Sequence, residues 1–94
     1  MEFEFDPEKD EINRFKHGVP LAFGVQVFAD PFLALTPTIR VGDEEERMKA
    51  IGLVGGKLYT AVHVWRGEAV RFISVRRSNA GEQSDYHRDP GGSE

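Results

Sequence analysis

Two runs of strand-favouring residues around a glycine turn constrain this chain most strongly. Residues 58–77, LYTAVHVWRGEAVRFISVRR, concentrate Val, Ile, Thr, Tyr, Phe and Trp on either side of Arg66-Gly67-Glu68. β-Branched and aromatic residues favour strands, and a Gly-X pair favours a two-residue hairpin loop. The stretch therefore predicts a β-hairpin.

The length of the turn decides which side chains of this hairpin lie opposite each other. With Gly67-Glu68 as a two-residue loop, the predicted cross-strand neighbours are Trp65 with Val70, His63 with Phe72, Ala61 with Ser74, and Tyr59 with Arg76. A three-residue loop is the alternative, and it would bring Arg71 beside His63 instead.

Alternation along the two strands sorts the hairpin into two faces. The predicted core face consists of Thr60, Val62, Val64, Ile73 and Val75. The other face mixes aromatic, imidazole and cationic groups, and it consists of Tyr59, His63, Trp65, Phe72, Ser74 and Arg76. We therefore expect function on this second face.

The N-terminal segment predicts a short strand followed by a helix. Residues 2–5 alternate Glu and Phe, as a half-buried strand does, and Asp6-Pro7 is typical of the start of a helix. Gly18 is typical of its end. Ile12 and Phe15 form an apolar stripe on this helix, and we expect the stripe to face the core.

The middle of the chain predicts a second helix and two strands. Residues 20–28 favour a short helix, although residues 25–28 would also suit a strand. Residues 32–41 favour an extended segment at a sheet edge, because Pro37 cannot donate to a strand ladder. Residues 47–54 predict a further strand, which Gly55-Gly56 turns back into the hairpin.

The chain closes on a weak helical signal. Residues 78–88 predict a helix with Ser78 as its N-cap, and residues 89–94 predict a disordered tail. The whole predicts one α+β domain over residues 1–88, a small antiparallel sheet with the N-terminal helices packed on one face and a short C-terminal helix.

Composition narrows the classes of function. The 94 residues contain no cysteine, which excludes disulfides and thiolate metal sites, and no secretory leader opens the chain, so we expect a cytoplasmic protein without a membrane segment. Residues 1–47 hold five Lys/Arg and eleven Asp/Glu, whereas residues 48–94 hold seven and five. The acidic cluster at residues 42–46 lacks the ligand spacing of a cation site, so we expect a solvated turn and no metal or other cofactor.

Several short motifs follow one another in a fixed order along residues 2–87. They are Phe3-Glu4-Phe5-Asp6-Pro7, Lys9, Asn13, Lys16-His17-Gly18-Val19, Phe23, Val27-Phe28, Asp30-Pro31, Glu45-Glu46-Arg47, Ile51-Gly52-Leu53, His63, Arg66-Gly67, residues 71–77, Glu82 and Tyr86. In this order they resemble the BrnT toxins of BrnT and BrnA toxin-antitoxin modules.

The resemblance implies a fold, an activity and a partner. It implies a RelE-like fold and a small, metal-independent ribonuclease that halts translation by cutting RNA. It also implies neutralisation by a BrnA-like ribbon-helix-helix antitoxin, with two toxins bridged by an antitoxin dimer. Contact with DNA would then be indirect, through the antitoxin.

Cleavage of RNA without a metal needs a base, an acid and cations around the phosphate. The candidates for catalysis are His63, Arg66, Arg77 and Glu82, where Glu82 would act as a base or orient an arginine. The candidates for RNA binding are Arg71, Arg76, Tyr86, Lys16 and His17, and Tyr59 and Trp65 offer further stacking surfaces. Capping of the first helix is the alternative role for His17. Arg76 and Arg77 are adjacent on a strand, so only one should line the site.

One departure from the family pattern opens a second hypothesis. Gln83 stands where an arginine is expected, and the residues before it lack the usual Lys and Arg. A toxin weakened in this way would act as an antitoxin-binding and operon-corepressing module. A third possibility is an unrelated α+β interaction domain whose arginines pair with its own acids.

Overall fold

A computed structural model describes residues 1–38 and 46–88. Its elements are β1 (Glu2–Glu4), α1 (Pro7–His17), a 3₁₀ turn (Leu21–Phe23) leading into α2 (Gly24–Phe28), β2 (Ala34–Thr38), β3 (Arg47–Val54), β4 (Lys57–Arg66), β5 (Ala69–Arg77) and α3 (Ala80–His87). The fold is α+β, as predicted. Most of the acidic cluster at 42–46 and all of the predicted tail at 89–94 lie outside the described residues. No described helix is long and apolar enough to cross a membrane.

The five strands form one mixed sheet in the order β1-β5-β4-β3-β2. Successive strands from β2 to β5 pair antiparallel, but β1 pairs parallel with β5, from Glu2 opposite Ala69 to Glu4 opposite Arg71. The prediction of a wholly antiparallel sheet is therefore wrong at this edge. Short turns force neighbouring strands to reverse direction, whereas β1 reaches β5 only through the rest of the fold and is free of that constraint.

Helix α1 begins and ends where the sequence predicts, but its faces are different. The Glu8 amide donates to the Asp6 carboxylate at 2.9 Å, and Gly18 ends the helix with φ 77°. Ile12 and Phe15 were expected to be buried, and this is wrong, because their exposed fractions are 58% and 92%.

The side of α1 that faces the sheet carries Asn13, which is 4% exposed. Strand β1 pairs with β5 only as far as Arg71, so the backbone edge of β5 is open beyond that point. Asn13 Nδ2 donates to the carbonyl of Val75 at 2.8 Å and of Val19 at 2.9 Å, and the Val75 amide donates to Asn13 Oδ1 at 3.0 Å. One amide side chain thus continues the ladder that β1 leaves unfinished, and this requirement orients the helix.

Close glycine contacts bring α2 onto the sheet. A Cβ at Gly24 would lie 2.4 Å from the Phe72 ring, and a Cβ at Gly52 would lie 2.5 Å from the carbonyl oxygen of Val27. The buried core on this side of the sheet consists of Leu21, Val27, Ala50, Ala61, Val70, Phe72 and Val75. The predicted helix at residues 20–28 is confirmed, and the alternative strand there is wrong.

The hairpin of β4 and β5 follows the predicted register only near its turn. Trp65 pairs with Val70 and His63 with Phe72, as expected for a Gly67-Glu68 loop. Beyond Val62 and His63 the register shifts, because Ile73 is an extra residue on β5, a β-bulge. Ala61 therefore pairs with Val75, and Tyr59 with Arg77, so the two predicted pairs at this end are wrong.

The bulge also changes the roles of the two predicted faces. Ala61, Phe72 and Val75 belong to the main core. This core lies on the side of β4 where the functional face was expected. The expected core face is only partly buried, because Val62 and Ile73 line a groove there. Apolar residues occupy both sides of this hairpin, so alternation alone did not show which side the helices cover.

Helix α3 begins one residue later than predicted. Asn79 is the N-cap: its side-chain oxygen accepts from the Glu82 amide at 2.8 Å, and the Glu82 carboxylate accepts from the Asn79 amide at 3.0 Å. This capping box replaces the expected Ser78 cap. Ser78 instead joins its hydroxyl to that of Thr60 at 2.8 Å.

Candidate functional site

A basic groove of about 440 Å³ lies where β3, β4 and β5 meet the start of α3, on the sheet side opposite the main core. Its lining residues are Thr38, Arg47, Lys49, Val62, Ile73, Ser74, Arg76, Asn79 and Glu82. Among the described residues, three cations and one carboxylate therefore line this cavity. We call it the large groove.

Glu82 organises the charges of the large groove. Its side chain is 2% exposed, and it accepts two hydrogen bonds from Arg76, Nη1 to Oε1 at 2.7 Å and Nη2 to Oε2 at 2.8 Å. Lys49 Nζ lies 3.5 Å from Oε2, and the Thr60 hydroxyl donates to Oε1 at 2.9 Å. The carboxylate thus holds Arg76 by a two-point fork in one orientation.

These contacts favour the charged form of both Arg76 and Glu82. Burial opposes ionisation of Glu82, but the hydrogen bonds from Arg76, the Asn79 amide and Thr60 outweigh it and lower the pKa of Glu82 to about 2. The same hydrogen bonds from Glu82 raise the pKa of Arg76. A carboxylate so acidic and so fully engaged is a poor proton acceptor at neutral pH. Of the two predicted roles for Glu82, the geometry favours orientation of an arginine.

A second groove of about 210 Å³ continues from the first on the same side of the sheet. Its lining residues are Lys9, Arg47, Val64, Arg66, Arg71, Phe72 and Ile73, so Arg47 and Ile73 line both cavities. Arg71 Nη1 also lies 3.0 Å from Glu4 Oε2 in a half-exposed ion pair. We call this cavity the small groove, and it contains the predicted residues Arg66 and Arg71.

His63 does not join either groove. It is fully buried on the core side of β4, its ring centroid lies 5.0 Å from that of Phe28, and its Nδ1 is 3.0 Å from the Ala61 carbonyl oxygen. Its Nε2 has no hydrogen-bond partner among residues 1–38 and 46–88. Burial lowers the pKa of His63, only partly opposed by the Ala61 contact, so the ring is neutral at pH 7. The structure thus separates this predicted catalytic residue from the cations.

Arg77 and Arg76 lie on opposite faces, as predicted. The Arg77 guanidinium lies 5.7 Å from the centre of the Tyr59 ring, on the core side, whereas Arg76 lines the large groove. Arg77 was the predicted catalytic residue of the two, and the structure brings Arg76 to Glu82 instead.

Lys16 and His17 lie exposed in the last turn of α1. Partial burial, Lys16 and Arg76 together lower the pKa of His17. Arg76 lines the large groove and contributes to the lowered pKa of His17, but neither Lys16 nor His17 is among the described residues that line that groove.

Tyr86 has a structural contact. Its hydroxyl donates to Asp30 Oδ2 at 2.6 Å, and Asp30 also accepts from the Leu53 amide at 2.7 Å. Burial and this hydrogen bond raise the pKa of Tyr86 to about 12. Tyr86 therefore connects α3 to the segment after α2.

Trp65, a further predicted stacking surface, is 47% exposed and lies beside His63.

Sequence reasoning missed Lys49, Thr60 and Asn79 as members of this site. Lys49 is the one cation within the otherwise apolar run from Met48 to Val54, and this was the available signal. Thr60 and Asn79 gave no signal, since only the packing of α3 brings them to Glu82. No group of three or more described His, Asp or Glu side chains could hold a metal ion.

Comparison with known families accounts for most of the chain. A family model described as the ribonuclease toxin BrnT of type II toxin-antitoxin systems matches residues 5–82. The chain belongs to the BrnT toxin family. The resemblance seen in the sequence is confirmed, and the match includes every residue that lines the two grooves. A BrnT toxin is a ribonuclease with RNA as its target and an antitoxin as its partner. No curated protein in the comparison matched the chain.

Proposed function

We propose that the chain is an endoribonuclease toxin that inhibits translation and that cuts RNA in the large groove without a metal ion. The observation that carries this proposal is the Arg76 guanidinium, held by the buried Glu82 beside Lys49. Cations in fixed positions stabilise negative charge that develops on phosphate, and they do so without reorganising at the moment of reaction.

The reaction needs charge stabilisation first. The RNA 2′-oxygen attacks the adjacent phosphorus, the bond from phosphorus to the 5′-oxygen breaks, and a 2′,3′-cyclic phosphate and a 5′-hydroxyl result. Negative charge grows on the phosphorane oxygens in between. A guanidinium has five N–H donors, so Arg76 retains donors beyond those that bind Glu82. Lys49 and Arg47 line the same cavity and add positive charge.

A base must accept the proton of the 2′-hydroxyl, and an acid must give a proton to the departing 5′-oxygen. Glu82 is unsuited because its pKa is about 2. We assign both proton transfers to His17: its neutral ring accepts the 2′-hydroxyl proton, and the imidazolium so formed donates that proton to the departing 5′-oxygen. His17 is exposed, lies within electrostatic reach of Arg76 and has a lowered pKa that leaves it neutral at pH 7. The role that the sequence predicted for His63 would require access through the core.

The antitoxin in this proposal is a BrnA-like ribbon-helix-helix protein, and two toxins join one antitoxin dimer that alone contacts DNA. Family resemblance supports this part. We place the antitoxin contact on α1, where the exposed Ile12 and Phe15 lie among the exposed acids Glu8 and Glu11. An apolar surface bordered by carboxylates fits an amphipathic segment with basic residues.

A second candidate function is a weakened toxin that only binds the antitoxin and assists repression. The observation that favours it is Gln83, which is exposed and donates to the Ser78 carbonyl at 3.1 Å. This position adds no cation to the groove.

Purified chain incubated with total RNA in EDTA tests the proposal. We expect cleavage that Arg76→Ala abolishes and that Arg88→Ala preserves, since Arg88 is exposed and pairs with Asp85 outside both grooves. Intact RNA at high protein concentration, with no antitoxin present, would contradict it. Growth arrest on expression without antitoxin separates the two candidates, because only the enzyme causes an arrest that Arg76→Ala removes.

A further inference from the structure

We propose that the small groove is a phosphate-binding subsite for a nucleotide a few positions along the strand from the scissile bond, so that the substrate is a single-stranded RNA spanning both grooves. This inference rests on the proposed cleavage in the large groove. It assigns a ligand class to the cavity formed by Lys9, Arg66 and Arg71.

The first argument is the β-bulge at Ile73. Arg71 and Arg76 are an odd number of residues apart, so in a regular strand they would point to opposite faces. The extra residue changes this: Arg71 pairs with Val64 and Arg76 with Thr60, two positions of the same face of β4. Bulges redirect side chains in this way and are frequent next to active sites. The bulge therefore aligns both arginines on one surface.

The second argument is the continuity of the two grooves. Arg47 and Ile73 line both cavities, so no wall of the sheet separates them. The β4 partners of Arg71 and Arg76 are four residues apart, so at about 3.3 Å per residue the two arginines are roughly 13 Å apart along the sheet. Stacked nucleotides rise only about 3.4 Å along a strand. A single phosphate cannot bridge the two arginines, whereas a strand of several nucleotides can.

The third argument is charge. The described residues that line the small groove include four cations and no acid. Glu4 approaches from β1 and pairs with Arg71, but the side chains of this pair are 42% and 31% exposed. Half-exposed ion pairs contribute little free energy, so a phosphate can replace the carboxylate at low cost. The partly exposed side chain of Ile73 is an apolar surface that suits an unstacked base, which a duplex would not present.

Binding and cleavage measured against strand length test the subsite. The variants are Arg71→Gln and Lys9→Gln, with Arg88→Gln as the matched control. The ligands are an eight-nucleotide RNA, a dinucleotide, and an eight-nucleotide DNA that cannot be cut. For each groove variant we expect about tenfold weaker binding of the eight-mers, as for loss of a charge-assisted hydrogen bond. The slope of log K against log salt should fall by about 0.7 for each cation removed.

The dependence on length decides the outcome. KM for the eight-nucleotide RNA should rise several times more than KM for the dinucleotide, and Arg88→Gln should change neither. Equal losses on both lengths, or no loss, would overturn the subsite while leaving cleavage in the large groove intact. Loss of antitoxin affinity with RNA binding unchanged would also overturn it, and would assign the groove to an acidic antitoxin segment. If the wild type cuts no RNA, the cleavage proposal fails, and binding of the DNA eight-mer still tests the subsite.

Discussion

Glu82 and His63 are both buried polar groups beside β4, but they lie on opposite sides of the sheet in different surroundings. Glu82 is ionised and has Arg76, Lys49, Thr60 and a backbone amide around its two oxygens. His63 is neutral, packs between Phe28 and Trp65, and keeps one ring nitrogen without a described partner. A buried charge that is fully partnered orients a neighbouring group, whereas a buried neutral ring fills space.

The largest expected effect is on RNA cleavage, and it distinguishes the Arg76 and Glu82 pair from the buried His63. Arg76→Ala should lower kcat by about 10² to 10³, the loss typical of one charge-stabilising donor. His63→Ala should lower the free energy of unfolding, because it leaves a cavity against Phe28, while the folded fraction keeps its kcat. Single-turnover cleavage at a temperature well below each Tm measures both. A folded but inactive His63→Ala would restore the catalytic role that the sequence predicted.

Stability gives the second comparison. Glu82→Ala should cost about 3 kcal/mol in urea unfolding, because it strands the partly buried Arg76 and removes the capping box of α3. Asp85→Ala on the same helix removes only the outer pair with Arg88 and should cost less than about 0.5 kcal/mol. Equal costs for the two variants would mean that Glu82 does not organise the groove.

The two sides of the sheet should also titrate in different pH windows. Burial lowers the pKa of His63 below its ordinary 6.5, so its contribution to stability is complete above that pH and is lost as the pH falls. The pKa of Glu82 falls from 4.5 to about 2, so its contribution, about 3 kcal/mol, is lost only between those values.

Urea midpoints from pH 7 to pH 3 check these windows. His63→Gln should flatten the profile near pH 6, and Glu82→Gln should flatten it below pH 4.5. Profiles for both variants that run parallel to the wild type would contradict the assignment of either window.

A smaller loss is expected at the open edge of β5. Asn13→Ala should cost about 2 kcal/mol, because the buried amide and carbonyl of Val75 lose their partner. Arg14→Ala is the control on the same helix, since Arg14 makes only an exposed pair with Asp10 and should cost less than about 0.5 kcal/mol. Calorimetric Tm values for the two variants would measure the difference, and equal values would remove the strand-completing role of Asn13.

The smallest expected change in stability is at the exposed face of α1. Phe15→Glu should alter the free energy of unfolding by less than about 0.5 kcal/mol, because the ring is 92% exposed. RNA cleavage should persist, while affinity for the antitoxin from the same operon should drop at least tenfold in calorimetric titration. Phe32→Ser, at another exposed ring, is the control. Undiminished antitoxin affinity, or a change in the mass of the toxin alone in solution, would contradict antitoxin docking at this face.

The sequence by itself determined the local elements and the family. The cap at Asp6, the stop at Gly18, the loop at Gly67 and the strand content of β3 to β5 depend on short-range chemistry, and each is confirmed. The short motifs along the chain were sufficient for BrnT membership.

Only the tertiary structure decided which side of the hairpin of β4 and β5 faces the core and which side lines the candidate site. Both sides carry apolar residues, so alternation did not distinguish them, and the bulge at Ile73 reversed the parity of β5 beyond that point. Because the bulge changes which β5 side chains face the groove, Arg76 is the arginine that binds Glu82. Lys49, from a different strand, also lies beside Glu82. The bulge lies between Phe72, against which Gly24 packs, and Val75, which bonds to Asn13. These contacts join distant parts of the chain and leave no periodic pattern in the sequence.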